Sequence, residues 1–193
     1  FNASQRALTQ IQPPFADSND QGVAAGLNDF FKAWQDVATN PADLTSRTVL
    51  LSKADVGAKR LNQASTQLSA QRNALDGQIQ QGITDINSLA TQIAGLNGQI
   101  KLAEVSGQNA NDLRDQRGQL LNNLAGLIDM TSLEDSTGQV TVSVGVGQVL
   151  VTQQTAFSLT GISNSGNSGL LDVRYDNGSG STTNLTSAIS SGR

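Results

Sequence analysis

The run Asn111-Asp112-Leu113-Arg114-Asp115-Gln116-Arg117 sets two carboxylates and two guanidiniums within one short stretch. Opposite charges packed this closely displace pKa values, which is the raw material of acid–base catalysis. The remaining parts of such a site are missing. The chain has no Cys and no His, which removes thiol nucleophiles, imidazole bases, disulfides and thiolate or imidazole metal sites. Spaced charges of this kind more often form ion pairs on a helix surface. Asp112, Arg114, Asp115 and Arg117 are therefore read as ion-pairing residues that set helix register. Arg114 and Arg117 stand one turn apart, where they reach carboxylates or carbonyls of an adjacent helix.

Other candidates reduce to structural roles in the same way. Asp172, Asp176 and Asn177 carry oxygen ligands suited to calcium, but the ordered loop and bidentate Glu that such a site needs are absent. Gly145-Val146-Gly147 and Gly178-Ser179-Gly180 lack the Lys or following helix start of a phosphate loop and read as turns. Trp34, the only Trp, could form a partner-binding patch with Phe30 and Phe31, although an aromatic stripe at helical spacing is more often core. Phe31 is the expected exception. No catalytic, cofactor-binding or metal-binding residue is assigned, and the chain is read as not an enzyme.

Composition narrows the class further. Net charge is −4 and the pI near 4.6, and the 12 Lys and Arg residues form no basic cluster, which disfavours nucleic acid. No apolar stretch approaches a membrane span, and residues 1–20 lack the regions of a cleavable signal peptide. Aromatic residues make up only 4%, poor material for a catalytic pocket. Phe1 in place of an initiator Met, and the end at Gly192-Arg193, suggest a piece of a longer protein.

The expected architecture is α+β and mainly α: an elongated antiparallel helical bundle with one very long heptad-bearing helix, then a small antiparallel β subdomain. Residues 1–20, with Pro13-Pro14, read as an extended lead-in. A helical rod domain is expected over 21–128, a β-rich subdomain over 129–184 and the start of a further segment over 185–193. Val23, Leu27, Phe30, Phe31, Trp34 and Val37 recur at helical spacing and predict a helix ending near Asn40. Asn40-Pro41 reads as the cap and first residue of the next helix, with Asp43 at its positive end.

That next helix is expected to run from Pro41 to about Glu104, roughly 95 Å at about 1.5 Å per residue. Ile79, Ile86, Ile93 and Ile100 recur every seven residues, and Leu61, Leu68, Leu75, Leu89 and Leu96 lie on a second seven-residue lattice. Together they predict an a/d seam. Gly57, Gly77, Gly82, Gly95 and Gly98 weaken a lone helix and imply close neighbours or a kink. Gly107 ends it, and a short turn leads to an antiparallel helix from Asn111 with Leu113, Leu120, Leu121, Leu124 and Leu127 inward. This short return favours packing within the chain over an intermolecular coiled coil.

After Asp129 the period changes to two. Val140, Val142, Val144 and Val146 alternate with small or polar residues, predicting a strand with one buried face behind a turn at Ser136-Thr137-Gly138. Further strands are expected at 148–152, 156–159 and 170–175, with a loop over 177–183 and a helix start over 185–189.

Four blocks in order, LNDFFKAWQDVATNPADLTSRTVLLSKADVGAKRLNQ, INSLATQIAGLNGQI, SGQNANDLRDQRGQLLNNLAGLI and GQVTVSVGVGQVLV, resemble the hook-associated protein 1 family, the hook–filament junction proteins of bacterial flagella. The resemblance covers about Gly22 to Leu159 and is most specific from Asn111 to Arg117 with the paired Leu120-Leu121. It implies an extracellular axial subunit, exported unfolded through the flagellar type III pathway and assembled as a ring between hook and filament. The implied partners are the hook protein, the second junction protein and further copies of the chain, without cofactors, nucleic acid or membrane. The terminal helical segments that pair in that family to line the polymer are missing here, so the fragment alone is expected to be monomeric. The competing readings are a secreted coiled-coil adhesin or type III translocator, and an enzyme such as a wall hydrolase fused to a flagellar part.

Overall fold

The computed structural model describes Thr9 and residues 22–189. In chain order the elements are α1 (Val23–Thr39), α2 (Leu44–Val105), α3 (Asn111–Ala125), β1 (Met130–Glu134), β2 (Val140–Val144), β3 (Gln148–Thr152), β4 (Thr155–Ala156), β5 (Ser158–Ser163), β6 (Leu171–Asp176) and β7 (Thr182–Asn184). The class is α+β, mainly α, with antiparallel sheets following the long helix. Contacts divide the chain into residues 2–75 and 76–193. The division falls inside α2, and the sheets and the second half of α2 share one core. Apart from Thr9, the lead-in expected over residues 1–20 lies outside the described residues.

In the first unit, α1 lies antiparallel to the N-terminal part of α2. Arg60 Nη1 donates to the Gly22 carbonyl at 3.1 Å, and Lys53 Nζ donates to Asp29 Oδ2 at 2.7 Å. Between these contacts the backbones close on a pair of glycines: a Cβ added at Gly26 would stand 3.6 Å from Gly57 Cα and 2.9 Å from Arg60 Cδ. Small residues thus occupy the facing stripe, with Gly26 and Ala33 buried, and the large side chains are turned aside. Phe31 is 60% exposed and Trp34 57%, so Trp34 is not the core residue its spacing suggested. Phe30 stacks edge-on with Phe31 at 5.4 Å and lies 6.1 Å from Trp34. On α2, Leu61 is exposed while Leu68 and Leu75 are half-buried.

The start of α2 departs from expectation. Asn40-Pro41-Ala42 forms a turn closed by the Asp43 N–H on the Asn40 carbonyl at 3.1 Å. Asp43 is the cap: its carboxylate accepts from the N–H groups of Thr45 at 3.1 Å and Ser46 at 3.0 Å, and from the Ser46 hydroxyl at 2.6 Å. The Ser46 hydroxyl, then these backbone donors, hold its pKa below the usual carboxylate range. A carboxylate satisfies two orphan donors and meets the positive end of the helix, which an amide cannot do as well.

The C-terminal end of α2 follows its sequence signal. Gly107 adopts φ +78°, its N–H bonds the Glu104 carbonyl at 3.0 Å, and the Gln108 N–H bonds the Ala103 carbonyl at 2.9 Å, the reciprocal pair of a Schellman stop.

In the second unit a four-stranded sheet, β1-β2-β3-β4, and a three-stranded sheet, β5-β6-β7, are both antiparallel. They close over α2 and α3 around Ile86, Ile93, Leu124, Val142, Leu150 and Leu159. Val140, Val142 and Val144 point inward along β2, whereas Val146, expected to continue the row, is exposed in the β2–β3 turn. Two strands went unread: β1, whose residues are mostly exposed, and β7 in the stretch expected to be a loop. Leu185 is fully buried, and the turn it begins packs Ala188 and Ile189 against the same core. Residues 185–189 therefore pack on the core of this unit.

The inward row of α2 is Ile83, Ile86, Ala90, Ile93, Asn97 and Ile100, in alternating steps of three and four. Ile86, Ile93 and Ile100 lie on the expected isoleucine lattice, but Ile79 is exposed. The second lattice runs through Ile83, Ala90 and Asn97, while Leu89 and Leu96 are half-buried on its flank. Ala90 is buried in the core, and Asn97 is inward where its carboxamide meets the Val140 and Gln153 backbone.

Glycines in α2 have unequal reasons. A Cβ at Gly98 would touch the Gln154 side chain at 3.2 Å, but at Gly77, Gly82 and Gly95 it would meet nothing within 4 Å. Close packing does not account for those three. Gly95→Ala is expected to stabilise the protein by about 0.5–1 kcal/mol through helix propensity, read as a rise in urea midpoint at constant slope.

Asp43 gives a pH-dependent prediction. Its folded pKa is depressed, so its contribution is present above the ordinary carboxylate value and is lost as pH falls through its lowered value. Asp43→Ala should be less stable than the parent at neutral pH, and thermal melts of the two should converge on acidification through that range.

Candidate functional site

After the Schellman stop, α3 starts beside the end of α2 and runs back along it. The paired positions retreat on α2 as α3 advances: Glu104 meets Arg114, Asn97 meets Arg117, and Gln92 and Leu89 share a groove with Asn122 and Asn123. Helical spacing puts Arg117 on the same inward face as Leu124.

Arg117 is only 3% exposed. Its Nη1 donates to Asn97 Oδ1 at 2.8 Å and to the Gly138 carbonyl at 2.6 Å, and its Nη2 lies 3.3 Å from Glu134 Oε2. Asn97 is fully buried and uses its whole carboxamide. Nδ2 donates to the carbonyls of Val140 at 2.8 Å and Gln153 at 2.7 Å, while Oδ1 accepts from the Val140 N–H at 3.0 Å as well as from Arg117. Toward Val140 the side chain behaves as a neighbouring strand would, exchanging both backbone bonds.

Asn87 repeats that device on the second sheet, donating to the Leu159 carbonyl and accepting from its N–H, both at 2.8 Å. Asp76 accepts from the Leu171 N–H at 2.8 Å. One helix thus holds two sheets by side chains that pair with strand backbone.

At the rim, Arg114 Nε and Nη2 donate to Glu104 Oε1 at 3.0 and 2.6 Å, and Nη1 donates to Glu134. The Glu104 hydrogen bond, with the charges of Glu134 and Glu104, raises the guanidinium pKa. The β1–β2 turn presents the Gly138 carbonyl because Asp135 Oδ1 accepts from the Thr137 N–H, the Thr137 hydroxyl and the Gln139 N–H, at 2.8, 2.7 and 3.0 Å. These bonds, the Thr137 hydroxyl first, hold Asp135 below its ordinary pKa. Gly138 has φ +74°, and a Cβ there would lie 2.6 Å from Arg114 Nη2, so both backbone and space call for glycine.

Of the four charged residues singled out in the sequence, the structure brings Arg114 and Arg117 into this network and leaves Asp112 and Asp115 exposed. Neither aspartate forms an ion pair among the described residues. Arg114 pairs with Glu104 on α2, a carboxylate of the adjacent helix as expected, and both arginines pair with Glu134, which comes from β1. Sequence reasoning missed Asn97, Glu134 and Gly138. A polar side chain on an otherwise apolar inward lattice is the signal that would have found Asn97.

Arg114, Arg117 and Asn97 are each engaged with fixed partners. Among the described residues no group of three or more His, Cys, Asp or Glu could hold a metal ion, and no helix is long and apolar enough to cross a membrane. The arrangement fixes elements to one another.

Fold and site together define a structural module, a long helix to which a return helix and two small sheets are locked by buried polar side chains. Residues 8–193 match the profile described as the flagellar hook-associated protein FlgK helical domain, and the chain belongs to that family. Among curated proteins it is 28% identical over 151 residues to flagellar hook-associated protein 1 of Bacillus subtilis, covering 78% of this chain and 30% of that protein. The protein of the same name from Salmonella typhimurium is 28% identical over 170 residues, covering 87% of this chain and 31% of the relative. A solved structure, the flagellar hook junction protein FlgK from Burkholderia pseudomallei, superposes with a TM-score of 0.78 at 29% identity, over 94% of this chain and 32% of that one. The chain thus spans about a third of the length of these relatives. Family membership carries a structural role in the bacterial flagellum.

Arg117→Met should lower stability by about 3–5 kcal/mol, the scale for removing one partner of a buried charged network. The double variant Arg117→Met/Asn97→Leu should recover little of this, because it strands both backbone groups of Val140 and the Gln153 carbonyl. Urea unfolding of the single and double variants measures both.

Proposed function

We propose that this chain is the helical-domain part of the subunit that joins hook to filament, an extracellular axial component and not a catalyst. The observation that carries the reading is the match over 94% of the chain to a protein titled a flagellar hook junction protein, at a TM-score of 0.78. The proposed partners are the hook protein, the second junction protein and copies of the same subunit in a ring.

Two physical features fit such a subunit. Asn97, Asn87 and Asp76 tie α2 to sheet backbone, so force applied to the strands reaches the helix through directional bonds and not through apolar contact alone. The exposed Leu27, Phe31 and Trp34 of α1 are an apolar stripe of the kind that subunit contacts bury. With no Cys to cross-link, the chain can also be exported unfolded and refold outside. The adhesin reading required a free heptad seam, but from Ile83 to Ile100 that seam is buried within the chain.

Adding the purified full-length protein to isolated hooks stripped of junction proteins tests the proposal by electron microscopy. A new ring at the distal hook end is the expected result. Bare hook ends, together with binding to host cells, would transfer the case to an adhesin.

A further inference from the structure

The β6–β7 loop carries one of the chain's two Asn-Gly pairs, Asn177-Gly178, and the other is Asn97-Gly98. Asn-Gly is the dipeptide in which a backbone nitrogen most readily reaches the preceding carboxamide, since glycine places no side chain in the way. The two pairs occupy opposite environments. Asn97 is buried within α2 with both carboxamide atoms bonded, whereas Asn177 and Gly178 are exposed in a turn with Gly178 at φ +73°.

The turn around Asn177 holds the groups that an intramolecular acyl transfer requires. Asp176 Oδ1 accepts the Gly178 N–H at 2.8 Å, so a carboxylate already sits on the proton of the nucleophilic nitrogen. Asn177 Oδ1 accepts from the Ser179 N–H at 3.0 Å and from the Ser179 hydroxyl at 2.6 Å, two donors on the oxygen where negative charge would develop. A base on the nucleophile and a donor pair on the electrophile are the two elements of general base and oxyanion stabilisation. The same bonds also define ordinary Asx turns, but here they converge on a dipeptide able to react.

We infer that Asn177 is a self-modification site, at which the folded loop promotes cyclisation to a succinimide and conversion to aspartate and isoaspartate. The Gly178 nitrogen forms a bond to Asn177 Cγ and yields its proton to Asp176. The oxyanion on Oδ1 is held by Ser179 and then collapses, breaking the Cγ–Nδ2 bond. The nitrogen leaves as ammonia, taking up the proton from Asp176 through solvent. Water then opens the ring at either carbonyl. The product carries one additional negative charge, and the isoaspartate form lengthens the backbone beside the Asp176–Thr182 pair that begins the β6–β7 ladder.

The test follows the full-length protein at neutral and mildly alkaline pH, natively and in denaturant, with peptide mapping by mass spectrometry and an isoaspartate assay. Native Asn177 is expected to convert at least about tenfold faster than native Asn97, and faster than Asn177 in denaturant. Asp176→Asn and Ser179→Ala should each slow the native rate by severalfold while leaving the denatured rate unchanged. A native rate at or below the denatured one would overturn the inference, as would native rates that both substitutions leave unaltered.

Discussion

The second unit depends on a carboxamide placed where an apolar side chain would ordinarily sit. Asn97 enters the core on the inward row of α2 and makes hydrogen bonds with Val140, Gln153 and Arg117. Burying an amide without partners is costly, and burying a guanidinium is more so. Here each group removes the cost of the other, and the arrangement works at one register only. A helix packed on a sheet by apolar contact alone can slide by fractions of a turn. Bonds from a helix side chain to the N–H and carbonyl of one strand residue forbid that movement.

This constraint organises the neighbouring parts. Because Arg117 must reach Asn97 and Gly138 together, α3 has to return immediately along α2, which the Gly107 stop permits. Because the Gly138 carbonyl must face the guanidinium, the β1–β2 turn needs a residue with positive φ and no Cβ, and Asp135 closes that turn. The rim pair of Arg114 with Glu104 and Glu134 then covers the buried arginine with compensating charge. Asn87 and Asp76 extend the same helix-to-strand logic to the second sheet, and Tyr175 links the two sheets through its hydroxyl on the Val149 carbonyl at 2.6 Å.

The first unit is organised by a different principle. There the closest approach is made by small residues, Gly26 opposite Gly57, flanked by the Lys53–Asp29 pair. Close backbone approach directs the aromatic residues of α1 sideways and leaves an apolar stripe exposed. The two halves of α2 therefore differ in kind. One is fixed by buried hydrogen bonds to strands, and the other by glycine contact with a helix.

The long helix, its stop at Gly107, the return helix from Asn111 and the alternating Val140–Val144 strand were legible in the sequence. Each rests on local physics: periodicity, a glycine signal or a period of two. The isoleucine lattice at Ile86, Ile93 and Ile100 was legible for the same reason. Three sets of outcomes were decided by tertiary structure. Ile79 and Trp34 are exposed because their neighbours are set by a distant sheet and by a glycine crossing. Ala90 and Asn97 are inward, Asn97 where its carboxamide meets strand backbone. Arg114 reaches Glu104 on the adjacent helix as its position indicated, but the pairing of both arginines with Glu134 depends on where the β1 strand packs. Periodicity shows which side of a helix is buried, but only the packed partners determine which polar groups are satisfied when they are buried.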